Sequence, residues 1–120
     1  MQYLVMIYED AAGFAKRSSA EAPKHFAAFQ AYTTALREAG VYVGGNPLQA
    51  PHTATTVRLR DGKRQVQDGP IADTKEQLGG YYLIDVPNLD AALDWGARCP
   101  ATAYGAVEVR PVMAIHGQPS

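Results

Sequence analysis

Two side chains have the types needed for proton transfer and the local patterns that turn them inward: His25 and Asp68. A histidine beside a carboxylate does general acid or base work, because the carboxylate orients the ring and holds its pKa near the working pH. His25 belongs to the set Ala22, His25, Phe26, Phe29, Tyr32, Thr33 and Leu36, whose spacings of three and four make one face of a helix. Asp68 ends a strand whose alternation sets it on the same face as Val57, Leu59 and Val66. Each has a plainer reading. A histidine in a helical stripe is also a core residue bonded to a backbone carbonyl, and on the residues alone that role outweighs catalysis. Asp-Gly-Pro at 68–70 is also a strand-ending turn whose carboxylate bonds nearby N–H groups, with equal weight.

Lys75 and Glu76 stand just before Gly79-Gly80, where a loop can aim either into a cleft, although most such charges are solvated. Tyr8, Tyr42, Tyr81 and Tyr82 are expected in strands and can line a pocket for a planar ring, a use rarer than core or interface packing. Arg58, Arg60 and Lys63 suit the wet face of an edge hairpin better than an anion site. Cys99, before Pro100 and without a basic neighbour, reads as a small buried hydrophobe. His52 and His116 lack partner spacing, and Gly44-Gly45 lacks the strand, turn and helix order of a nucleotide loop. Neither a metal nor another cofactor is expected.

The whole chain bounds these options. Its 120 residues, 47% hydrophobic, suffice for a single domain over 1–120 with one core. Eleven Lys plus Arg against twelve Asp plus Glu leave a net charge of −1, so no global field favours nucleic acid or an acidic membrane. One cysteine excludes an internal disulfide, and Met1 to Tyr8 lacks the basic leader of a signal peptide and the length of a span. A cytoplasmic, soluble protein is the expectation.

The elements that must position the candidates follow from pattern. Gln2 to Glu9 is a strand apolar on both faces, with Tyr3, Val5 and Ile7 opposite Leu4, Met6 and Tyr8, and a turn at Asp10 to Gly13. Ser18 and Glu21 have capping-box spacing, and Pro23 sits early in a helix that stops at Gly40. Val41 to Val43 opens a second strand, followed by a turn at Gly44 to Pro47. Thr55–Arg60 and Arg64–Gln67 form a hairpin about Asp61-Gly62, in which Leu59 faces Arg64, Val57 faces Val66 and Thr55 faces Asp68. Gly80 to Val86 is another two-faced strand, Asn88 caps a helix that ends before Pro100, and Ala106 to Val112 is the last strand. Gly117 to Ser120 are expected to fray.

Strand, helix, strand, inserted β-hairpin, strand, helix, strand is an α+β order, the split βαβ of a ferredoxin-like fold with an antiparallel sheet. Two helices cover one sheet face. The other face is apolar too, so a homodimer through the open sheet face is expected.

The run Asp68-Gly69-Pro70-Ile71-Ala72-Asp73-Thr74-Lys75-Glu76-Gln77-Leu78-Gly79-Gly80-Tyr81-Tyr82-Leu83-Ile84-Asp85-Val86 resembles the signature of the DGPF branch of the YCII-related family. The opening YLVMIYED, the helix with His25, GGNPLQ, TATTVRLRDGK, LDAALDWGARCP and GAVEVRPVM extend the resemblance over nearly the whole chain. Ile71 stands where the family name implies Phe, and Asp73 where Glu is usual. The resemblance implies a dimeric α/β barrel, similar in fold to muconolactone isomerases and small cofactor-free monooxygenases. It also implies a His and Asp pair in a cleft, with the family's helix histidine matching His25, and brings catalysis level with the plainer reading of that residue. Two functions follow. One is a cofactor-free lyase or isomerase acting on a small ring-containing metabolite, with His25 as base and Asp68 as orienter. The other is a non-catalytic small-ligand-binding or regulatory module associated with an extracytoplasmic-function sigma factor, which the resemblance implies equally.

Overall fold

A computed structural model describes residues 1–115; His116 and the stretch 117–120 lie outside the described residues. Four strands form one antiparallel sheet in the order β2 (Tyr42–Pro47), β5 (Gln77–Asp85), β1 (Gln2–Glu9), β6 (Ala106–Pro111). Helices α2 (Ala22–Glu38) and α3 (Leu89–Arg98) cover one face, and a short α1 (Ala11–Ala15) follows β1. This is the ferredoxin-like split βαβ, with β3 (Thr55–Arg60) and β4 (Lys63–Asp68) inserted as a separate hairpin.

β1 is central because it is apolar on both faces. Tyr3, Val5 and Ile7 are buried with Tyr32 and Leu36 of α2, Ala92 of α3, and Ile84 and Val86. Tyr32 ties the two helices: its hydroxyl donates to the Trp95 carbonyl at 2.7 Å. Leu4, Met6, Tyr8 and Leu83 share the uncovered face, Leu4 directly across from Leu83.

The helix ends illustrate what is local. α2 stops as expected, in a Schellman arrangement: Val41 N–H bonds Leu36 O at 3.1 Å, Gly40 N–H bonds Arg37 O at 3.0 Å, and Gly40 takes φ +74°. Asn88 caps α3, its side chain accepting from Ala91 N–H at 2.9 Å. The capping box of Ser18 and Glu21 does not form. Ser18 belongs to a 3-10 turn over Lys16–Ser18, Ser19 Oγ instead accepts from Glu21 N–H, and α2 starts at Ala22. Asp10, expected in a turn, caps α1 by accepting from Gly13 N–H at 2.9 Å.

Two further expectations are corrected. Gly44 to Pro47 is not a turn but the body of β2, because Gly45, Asn46 and Pro47 pair with Tyr82, Tyr81 and Gly80. Glycine there is a packing requirement: a Cβ on Gly45 would lie 2.7 Å from the Tyr81 carbonyl. The hairpin register is the expected one, from Arg60 opposite Lys63 to Thr55 opposite Asp68, with Asp61 and Gly62 both at positive φ. Its apolar face is not interior, however. Val57, Leu59 and Val66 are 59%, 74% and 60% exposed, since the hairpin stands off the body as its own two-stranded sheet. The Cα radius of gyration, 16.2 Å, reflects this arm; a compact chain of this length has roughly 13.6 Å.

Candidate functional site

The alternation of β1 does not stop at Ile7. One step further it carries Glu9 onto the helix-covered face, where this residue is 1% exposed, the only charged side chain in the buried set among the described residues. A buried carboxylate must be partnered. Glu9 Oε1 accepts from the Tyr104 hydroxyl at 2.9 Å, while Oε2 lies 3.5 Å from Arg17 Nη2 and has no hydrogen bond among the described residues. Arg17 is held by the backbone: its guanidinium donates to the carbonyls of Leu48 and Gly79, the latter at 2.9 Å, and covers the Phe14 ring.

A β-bulge makes the space. Ile7 pairs with Gly80 but Tyr8 with Leu78, so Gly79 is the extra residue and its Cα faces the carboxylate. A Cβ at Gly79 would sit 2.9 Å from Glu9 Oε2 and 3.2 Å from Arg17 Nη2. Gly13 does the same from below, where a Cβ would meet Glu9 Cβ at 3.0 Å and the Tyr104 ring at 3.3 Å.

Above this floor opens a cavity of about 290 Å³ between α2 and the sheet. Glu9, Arg17, Gly79 and Gly80 line one end, His25, Phe26, Phe29 and Thr33 of α2 line one wall, and Tyr42 and Tyr82 another. Its volume lies at the small end of ligand sites, which fits one ring. His25 is half-buried against aromatic rings, with centroids 5.1 Å from Phe29, 5.2 Å from Phe26 and 6.1 Å from Tyr104. Burial lowers its pKa below the ordinary 6.5; the Glu9 charge opposes that and Arg17 and Lys16 reinforce it. Burial thus favours the neutral imidazole, in which one nitrogen is able to accept a proton. Burial also raises the Tyr82 and Tyr104 phenols, so both stay protonated, Tyr104 further favoured in that form by Glu9. The Tyr82 and Thr33 hydroxyls stand 2.9 Å apart.

The sequence-derived candidates separate on this geometry. His25, Tyr81 and Tyr82 line the cavity. Tyr81 has its hydroxyl on the far side, accepting from Asn46 Nδ2 at 3.0 Å. Asp68 is exposed at the end of β4 and does not line the cavity; within one chain it is not the carboxylate beside His25, because the hairpin carries it away from the body. Lys75 and Glu76 are exposed in the loop before β5, and Tyr8 lies on the uncovered sheet face, so none of the three lines the cavity. Glu9, Arg17 and Tyr104 were not among the candidates. The signal for Glu9 was present in the Tyr3, Val5, Ile7 alternation; Arg17 and Tyr104 carry no local sign.

Among the described residues, no three or more of the His, Cys, Asp and Glu side chains come together as a metal site would need, and no helix is long and apolar enough to cross a membrane. Cys99 is 1% exposed, and burial pushes its thiol up to about 11.

An uncharacterized protein of Rhizobium meliloti (strain 1021) is 37% identical over 116 residues, covering 93% of this chain and 92% of that protein. Among solved structures, 5-chloro-2-hydroxyhydroquinone dehydrochlorinase (TftG) of Burkholderia phenoliruptrix AC1100, in complex with 2,5-dihydroxybenzoquinone, is similar in fold. Its TM-score is 0.55 at 17% identity, covering 94% of both chains. The family model for the YCII-related domain matches residues 1–116, and the chain belongs to that family.

Proposed function

We propose that this protein is a cofactor-free enzyme of lyase or isomerase type that acts on a small ring-containing metabolite, with His25 as general base. The observation that carries the reading is an imidazole on the wall of a one-ring cavity faced by Phe26, Phe29 and Tyr82, where burial lowers its pKa. A base must be deprotonated before it acts, and burial keeps His25 so near neutral pH. Glu9 takes the place expected of Asp68: fixed by Tyr104, it supplies the negative charge that favours the imidazolium once His25 has accepted a proton. The similarly folded dehydrochlorinase holds a hydroxylated six-membered ring, which supports the choice of substrate class.

The reading includes a homodimer through the open sheet face. Leu4, Met6, Tyr8 and Leu83 form an apolar surface that no helix covers, and a second copy covers it most simply.

The test is a screen of small hydroxylated and halogenated rings by ultraviolet absorbance, with wild type and His25→Ala in parallel. Turnover of at least one ring is expected, falling by roughly 10²–10⁴-fold in the variant while its melting transition is kept. Undiminished turnover by His25→Ala removes the proposal.

A further inference from the structure

The floor of the cavity specifies more than a ring. Glu9 has two oxygens in different circumstances: Oε1 is bonded to Tyr104, which does not line the cavity, whereas Oε2 adjoins Arg17 and Gly79, which do. Oε2 is buried and has no hydrogen bond among the described residues. A buried carboxylate oxygen without a donor is costly, and such atoms are rare in folded proteins. The nearest cation, Arg17, pairs with it by charge at 3.5 Å but gives it no hydrogen bond, because the guanidinium donates to the Gly79 and Leu48 carbonyls. The contact is loose enough for a ligand donor to replace it.

The rest of the lining agrees. The His25 ring makes no hydrogen bond to the described residues, Thr33 Oγ1 is already bonded to the Phe29 carbonyl and the Tyr82 hydroxyl, and the one cation of the lining is engaged by backbone. The orphaned position at the floor, Glu9 Oε2, is an acceptor, and a ring carboxylate would place its charge against Glu9.

We infer that Glu9 Oε2 is the ligand's hydrogen-bond acceptor, so the cavity takes neutral hydroxylated rings, of phenol or enol type, in preference to ring carboxylates. This rests on the reading of the cavity as a ring site. Glu9 orients the ring by its hydroxyl, and His25 faces it from the helix wall.

The test is NMR titration of the full chain at pH 7 with three single-ring compounds, hydroquinone, 1,4-dimethoxybenzene and benzoate. Hydroquinone is expected to bind tightest, shifting Gly79 and Gly80 amides. Glu9→Gln is expected to weaken it by about tenfold to a hundredfold, the loss from removing one charge-assisted hydrogen bond. Equal binding of 1,4-dimethoxybenzene, which has no donor, overturns the inference while leaving a ring site. So does tighter binding of benzoate, which would make Arg17 the recognising group. Binding of none of the three overturns the ring site as well. If Glu9→Gln fails to melt cooperatively, the three wild-type titrations alone decide.

Discussion

The Tyr104 hydroxyl donates to Glu9 Oε1 at 2.9 Å, joining residues 95 positions apart at the end of β1 and just before β6. It is the one hydrogen bond that Glu9's side chain makes among the described residues, and it closes the floor of the cavity.

Removing that donor leaves a buried carboxylate with both oxygens unbonded. Tyr104→Phe keeps the ring against His25 and Lys16 but is expected to destabilise the fold by about 1–3 kcal/mol. Urea unfolding followed by circular dichroism measures it, and an unchanged midpoint would show that the bond does not hold Glu9.

Two glycines in the same sheet separate space from backbone freedom. Gly79→Ala is expected to cost about 1–3 kcal/mol by driving a methyl into Glu9 Oε2 and Arg17. Gly44→Ala meets nothing within 4 Å and is expected to be near neutral. Equal melting temperatures for the two variants contradict the bulge geometry.

For His25 the sign follows from burial. Its folded pKa lies below the ordinary 6.5, so at acid pH the unfolded chain binds more protons than the folded one. The stabilising effect of keeping the ring neutral is complete above pH 6.5 and is lost as pH falls through the folded pKa. A ring-proton NMR titration should give a midpoint under 6.5, and the stability of His25→Phe should fall less than wild type on acidification. A midpoint above 6.5 would mean that Glu9, not burial, controls the ring.

Leu4 and Leu83 are direct cross-strand neighbours on the uncovered face. Wild type is expected to have twice the chain mass by light scattering, and Leu4→Glu with Leu83→Lys to have one chain mass while keeping its circular dichroism. A monomeric wild type at high concentration defeats this mode of assembly.

Cys99 is expected to resist alkylation in the native protein at pH 8, being buried and pushed up to about 11, and to react at once in denaturant. Prompt native labelling would show that the segment between α3 and the Pro100–Ala103 turn opens readily.

The amino-acid sequence by itself determined the order of the strands and the two long helices, the Gly40 helix stop, the Asn88 cap and the full hairpin register. Each depends on side chains a few residues apart or on strict two-residue alternation, and both are readable along the chain. It also marked His25 as a residue on the inner stripe of its helix. What it could not convey was depth. Alternation says which face Asp68 shares with Val57 and Val66, but not that the hairpin's face lies outside the body, since that depends on where the arm is carried. Only the tertiary structure chose the carboxylate: Glu9 continues a buried alternation, a bulge at Gly79 leaves room for it, and Tyr104 and Arg17 arrive from distant turns. The physical reason is that a buried charge is stable only where donors converge, and convergence is a property of the packed chain.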